Sequence, residues 1–251
     1  MFYPIIISTF AGLSTAVGAL IVISGKNITT EKMAQAQGFA AGVMLTVSFF
    51  DLIPESYGKY FVYMNAFYAF RAVASLFACG WVVGMAISSF AVPAMHYEDV
   101  SKASARRMAL LTTLVMIIHN LPEGMLTVFS TTENISSGIR LALAVALHNL
   151  PEGMAIASPV LYVTASRKKA FMQAFMAGMA EPVGGILAYC VLHSIINIHF
   201  INGLMPVIAG IMCQTAICEL IPDSVRLSNI KHTLYGIITG IVVMSIGLFV
   251  F

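Results

Sequence analysis

Apolar residues run along this chain in eight stretches of about 20, the length that crosses ~30 Å of hydrocarbon as a helix. They cover roughly residues 3–24, 33–54, 69–91, 108–130, 138–162, 170–195, 201–222 and 231–251, with short polar connections between them. Backbone N–H and C=O groups find no water in lipid, so each stretch is expected to satisfy its own as a helix. Eight such spans use up the 251 residues. The pattern predicts an all-α polytopic membrane protein, one domain over residues 1–251 with no room for a soluble module.

Composition agrees. The chain is 59% hydrophobic and 10% charged with a mean hydropathy of +0.90, against about 25% charged in a soluble domain. The formal charge of +2 matters less than its placement. With the N-terminus outside, the inward loops hold Lys26, Lys32, Lys102, Arg106, Arg107, Arg167, Lys168, Lys169, Arg226 and Lys231, and the outward ones only Lys59, Arg71 and Arg140. That bias predicts both termini extracytoplasmic. Cys79, Cys190, Cys213 and Cys218 all fall in spans and read as small buried hydrophobes. Met1-Phe2-Tyr3-Pro4 lacks the basic start of a cleaved signal, so the first span is expected to be retained.

Two repeats stand out among the few polar letters inside the spans. His119-Asn120-Leu121-Pro122-Glu123-Gly124-Met125 in span 4 returns 29 residues later, letter for letter, as His148-Asn149-Leu150-Pro151-Glu152-Gly153-Met154 in span 5. On a helix His119 and Glu123 lie about 40° apart around the axis and about 6 Å along it, with Asn120 about 60° to the other side of Glu123. The carboxylate therefore points between the imidazole and the amide and is able to bridge two ions. Two His and two Glu suit Zn²⁺, and the same set with amide oxygens accepts Fe²⁺ or Mn²⁺. Pro122 and Pro151 free the carbonyls of Ile118 and Leu147 and are expected to break their helices; Gly124 and Gly153 should let span 6 approach through Met179–Gly185. Glu181 there is again mid-span and again followed by proline. A lone His or a proline kink would be read as packing. Three mid-membrane carboxylates are different, because a charge at the bilayer centre costs about 2.5 kcal/mol or more.

The second repeat is Asp51-Leu52-Ile53-Pro54-Glu55-Ser56 at the end of span 2 and Glu219-Leu220-Ile221-Pro222-Asp223-Ser224 at the end of span 7. Those spans run in opposite directions, so the copies belong at opposite faces, as in the inverted repeats of secondary transporters. Asp51 and Glu55 are then expected at the outer mouth, Glu219 and Asp223 at the inner one. Helix capping at the interface is the alternative reading for Glu55 and Asp223. The loop 93–100, with His96, Glu98 and Asp99, reads as solvated, and the glycosylation sequon at Asn27 falls on the inward side.

His-Asn-x-Pro-Glu-Gly in span 4, its copy in span 5, Glu-Pro in span 6 and eight spans together resemble the ZIP (Zrt/Irt-like) family of divalent-metal transporters, and its ZupT-like branch, over essentially the whole chain. The resemblance implies a single membrane transport domain with helices arranged three plus two plus three, spans 1–3 being the inverted counterpart of 6–8. It implies a metal centre between spans 4 and 5, with metal carried toward the cytoplasm. It assigns His119, Glu123, His148 and Glu152 to a primary site, and Asn120, Asn149 and Glu181, with the two Glu shared, to a secondary one. Met44 corresponds to a contributor to the primary site and Asp51 to an entrance position.

The expected function is therefore uptake of Zn²⁺, with Fe²⁺, Mn²⁺ and Cd²⁺ as further candidate substrates and no prosthetic group. Several adjacent buried carboxylates cannot all stay charged without a cation, so metal binding is expected to displace protons. The expected partners are divalent metal ions and the lipid bilayer, not nucleic acid, with a homodimer left open. The membrane, plasma or internal, is also open. An intramembrane zinc hydrolase with Glu as general base is the alternative, disfavoured because His-Glu-x-x-His is absent.

Overall fold

A computed structural model describes residues 2–25, 28–90, 100–192 and 198–250. Asn27 and the loop carrying His96, Glu98 and Asp99 lie outside them. The described residues form eleven helices: α1 (Tyr3–Ser24), α2 (Thr30–Val47), α3 (Ile53–Phe61), α4 (Ala66–Phe90), α5 (Val100–Glu133), α6 (Ile135–Thr164), α7 (Arg167–Gly178), α8 (Ala180–Leu187), α9 (Ile198–Thr215), α10 (Ile221–Leu227) and α11 (Ile230–Val250). A π-helical turn, Ser48–Leu52, joins α2 to α3, and another, Ala216–Leu220, joins α9 to α10. Each turn reaches into the second repeat, taking in Asp51 and Glu219. Seven helical segments among the described residues are long and apolar enough to cross a membrane.

The sixth expected span, 170–195, differs from its neighbours. Its path is divided between α7 and α8 at Met179, and its last described residues form a π-helical turn, Ala188–Leu192. Pro182 has no N–H for the Gly178 carbonyl and its ring crowds that carbonyl, so the helix gives way one turn before it. Conversely, Pro122 and Pro151 do not break their helices: both lie inside continuous α5 and α6. Packed neighbours in a membrane bundle tolerate a missing helical bond of this kind.

The helices form two groups. In one, α1 packs on α6, and α5 on α6 and α8; in the other, α11 packs on α2, and α4 on α9. Glycines let backbones touch within each group, and their contacts are reciprocal. A side-chain carbon at Gly42 would overlap the Ile237 carbonyl, and one at Gly210 the Phe77 carbonyl; Gly240 faces the Phe39 carbonyl as Gly80 faces that of Val207. The packing of α2 on α11 is thus repeated by α9 on α4. In the other group Gly18 abuts Leu150 as Gly184 abuts Leu121, and Gly12 and Gly178 abut each other. Span 6 approaches Gly124 as expected, through the Glu181 carbonyl, whereas Gly153 meets Thr15 of α1 instead.

The second repeat obeys the same relation. Ser56 Oγ donates to the Asn202 carbonyl at 3.1 Å, and Ser224 Oγ to the Ala34 carbonyl at 3.3 Å. The end of each copy's segment therefore meets the start of the other's, so the two run antiparallel. Large apolar side chains cover the outside, Phe10, Phe50 and Phe70 among them, a surface suited to hydrocarbon.

Candidate metal site

The two copies of the first repeat face each other across α5 and α6, both side by side and antiparallel. His119 Nε2 lies 3.2 Å from Glu152 Oε1, and His148 Nε2 lies 3.5 Å from Glu123 Oε1. Each imidazole thus pairs with the carboxylate of the other copy, rather than with the one four residues along its own helix. The antiparallel packing sets this pairing, because it brings the early residue of one copy level with the late residue of the other. All four side chains are at most 4% exposed.

The asparagines are anchored from outside the pair. Asn120 Nδ2 donates to the Ala177 carbonyl at 3.1 Å, and Asn149 Nδ2 to the Ala11 carbonyl at 3.2 Å. With the amide N–H groups so engaged, each Oδ1 is left as a free acceptor. Asn149 Nδ2 also donates to Glu181 Oε1, so the expected third carboxylate does join the cluster. Thr15 of α1 takes the place at Gly153 that Glu181 of span 6 takes at Gly124, each meeting the glycine with its carbonyl. Thr15 is fully buried.

The polar atoms here exceed their partners. Asn120 Oδ1, Asn149 Oδ1, Glu123 Oε2, Glu152 Oε2 and Glu181 Oε2 are buried and accept no hydrogen bond, and His119 Nδ1 and Thr15 Oγ1 are likewise unpartnered. Five buried oxygens with free lone pairs form an environment that would be costly in lipid without a compensating cation or protons. As they stand, the side chains form two-member His–Glu pairs. Among the described residues, no three His, Cys, Asp or Glu side chains converge on one point. Met44 is fully buried in the apolar core that also takes in Ala155 and Ile156, on the turn after Glu152.

The two copies of the second repeat differ in their surroundings. Asp51, Glu55, Lys59, Glu133 and Arg140 line a cavity of about 310 Å³ whose wall includes Leu147, the neighbour of His148. Glu55 pairs with Lys59 on its own helix at 2.7 Å. Glu219 and Asp223 are instead closed off. Arg107 of α5 donates from Nη2 to Glu219 Oε2 at 2.7 Å and from Nη1 to both Asp223 oxygens at 2.7 and 2.8 Å, and Arg226 adds 3.1 Å to Asp223. Sequence reasoning gave Arg107 only a topological role and read Thr15, with Gly12, Ser14 and Gly18, as a small residue of close helix packing. The spacing Gly12-x-x-Thr15-x-x-Gly18 against Gly178-x-x-Glu181-x-x-Gly184 was the available signal for the latter.

Comparison with known proteins points the same way. Residues 93–247 match the family model described as ZIP Zinc transporter. Proteins named Zinc transporter ZupT are similar along nearly their whole length. The one from Escherichia fergusonii is 33% identical over 100% of this chain and 97% of its own. That of Chlorobium chlorochromatii is 35% identical over 98% and 96%, and that of Stenotrophomonas maltophilia 34% over 96% and 93%.

Proposed function

We propose that this chain, which belongs to the ZIP family of zinc transporters, carries Zn²⁺ across a membrane through the His119, Glu123, His148 and Glu152 cluster. The observation that carries the reading is the set of five unpartnered oxygens around two crossed His–Glu pairs. A divalent ion would replace the His–Glu contacts within the pairs by metal–ligand bonds of about 2.0–2.2 Å, each side chain turning toward the ion. Asn120, Asn149 and Glu181 supply further oxygens for a second, adjacent ion, the two Glu being shared, and Met44 is the nearest soft donor on α2. Harder ions such as Fe²⁺ and Mn²⁺ suit the oxygen-rich side of the set, and Cd²⁺ the imidazole side. The family is one of transporters, which sets the hydrolase aside.

The whole chain acts as one membrane transport domain. The divided helix α7–α8 counts as the sixth of eight spans, giving three, two and three with spans 1–3 the inverted counterpart of 6–8. Support for this comes from the reciprocal glycine contacts and the antiparallel serine bonds. The excess of Lys and Arg at one side turns both termini outward, with Asp51 and Glu55 at the outer mouth, Glu219 and Asp223 at the inner one, and flow toward the cytoplasm. The lipid-facing surface leaves room for a homodimer. The test is saturable zinc accumulation in proteoliposomes holding the purified chain, compared with Fe²⁺, Mn²⁺ and Cd²⁺. Accumulation no faster than in protein-free vesicles would overturn the reading.

A further inference from the structure

The two mouths come from one repeated sequence, yet they are in different states. Asp51 and Glu55 open on a cavity, and among the described residues neither is bonded to the α5–α6 group. Their counterparts Glu219 and Asp223 are held by Arg107, which reaches them from α5, the helix that carries His119 and Glu123. The bridge therefore joins the two helix groups at one end only. The acids it holds are nearly inaccessible, at 10% and 2% of side-chain exposure, while the Arg107 side chain keeps 31%. A guanidinium is always charged and, in forked contact with two carboxylates, occupies the place a cation would take. Arg107 lies 12 residues before His119, about 18 Å along the helix.

We propose that Arg107 is a latch: bound to Glu219 and Asp223, it closes the path from the metal site at that end, and a cation leaves there by displacing it from the two acids. This rests on the transport reading above for the identity of the cation, though not for the closure itself. In an inverted repeat the two mouths exchange states as access alternates. The Arg107 bridge fixes which mouth is closed here, and breaking it is part of the exchange. Glu219 and Asp223 so serve twice, as anchor for the latch and as a transient seat for the outgoing ion.

The test uses the full chain in nanodiscs, both faces accessible, with Cys79, Cys190, Cys213 and Cys218 replaced by alanine. A single cysteine, Thr112→Cys, sits on α5 seven residues before His119, thus on the same face about two turns toward Arg107. A second reporter, Ala144→Cys, lies in the wall of the opposite cavity. The readout is the rate of modification by a cationic, membrane-impermeant methanethiosulfonate, without zinc. Arg107→Gln is expected to raise the Thr112→Cys rate about tenfold, the weight of a charge-assisted hydrogen-bond pair, without raising that of Ala144→Cys. Glu219→Gln with Asp223→Asn should do the same from the other side of the bridge, and decides the matter if Arg107→Gln does not fold. Arg107→Glu combined with Glu219→Lys should restore slow labelling. Rates unchanged by neutralising either side, or raised equally at both reporters, would overturn the latch. Zinc flux by the parent chain is measured separately; its absence would strike the transport reading alone.

Discussion

His119 faces Glu152 on the neighbouring helix, 3.2 Å from Nε2 to Oε1, and not Glu123 on its own. The identical seven-residue copies therefore come together in one cluster rather than two. Coupling in metal-free protein should follow the same line. A double-mutant cycle on His119→Ala and Glu152→Ala, read from unfolding in detergent, should give about 1–3 kcal/mol, and the cycle with Glu123→Ala distinctly less. Equal coupling in the two cycles would contradict the crossed arrangement.

Gly153 and Gly124 are the places where α6 and α5 admit the backbones of Thr15 and Glu181. A methyl group there has nowhere to go, because what it meets is a carbonyl and not a flexible side chain. Gly153→Ala and Gly124→Ala should each lower stability by about 1–3 kcal/mol through overpacking and weaken zinc binding with it. Gly58→Ala, with open space around it, should be neutral or slightly stabilising in a melting experiment.

Asn120 and Asn149 each spend an amide N–H on a carbonyl outside the motif, at Ala177 and Ala11. Asn120→Ala removes a bond to the Ala177 carbonyl, which keeps the Met179 N–H, and one of the free oxygens. A stability loss of about 1–3 kcal/mol should accompany weaker zinc binding by calorimetry. Asn120→Asp keeps the oxygen but sets an acceptor against the Ala177 carbonyl, so it should recover binding more than stability.

Glu123, Glu152 and Glu181 are buried beside two imidazoles, and adjacent carboxylates in a low-dielectric setting set protons and a cation in competition for the same atoms. Zinc binding should release protons, seen as a binding enthalpy that changes with the ionisation enthalpy of the buffer. Uptake should slow in mildly acid solution, where protons compete for the same atoms. Binding without proton release, or flux equal in acid and neutral buffer, would contradict this.

Both repeats were legible because membrane-embedded polar residues are few, and their letters recur at fixed spacing. The antiparallel course of the segments ending at Ser56 and Ser224 followed from counting spans. The crossed His–Glu pairing was not legible, since helix periodicity relates His119 only to residues on its own helix. Thr15 read as packing because a hydroxyl in an apolar helix looks like that until the glycines on either side are aligned with those flanking Glu181. Arg107 sits among loop charges that orient a chain, and its reach to Glu219 and Asp223 depends on tertiary contact. The prolines misled in two of three places. Pro122 and Pro151 leave α5 and α6 continuous, whereas Pro182 accompanies a divided helix.

Zinc flux into proteoliposomes for the parent chain, His119→Ala and Glu152→Ala tests the central claim most directly. Saturable flux in the parent that both substitutions abolish, with Glu55→Ala retaining it, is the predicted result. Flux undiminished by either substitution would contradict the claim that the crossed cluster carries the ion.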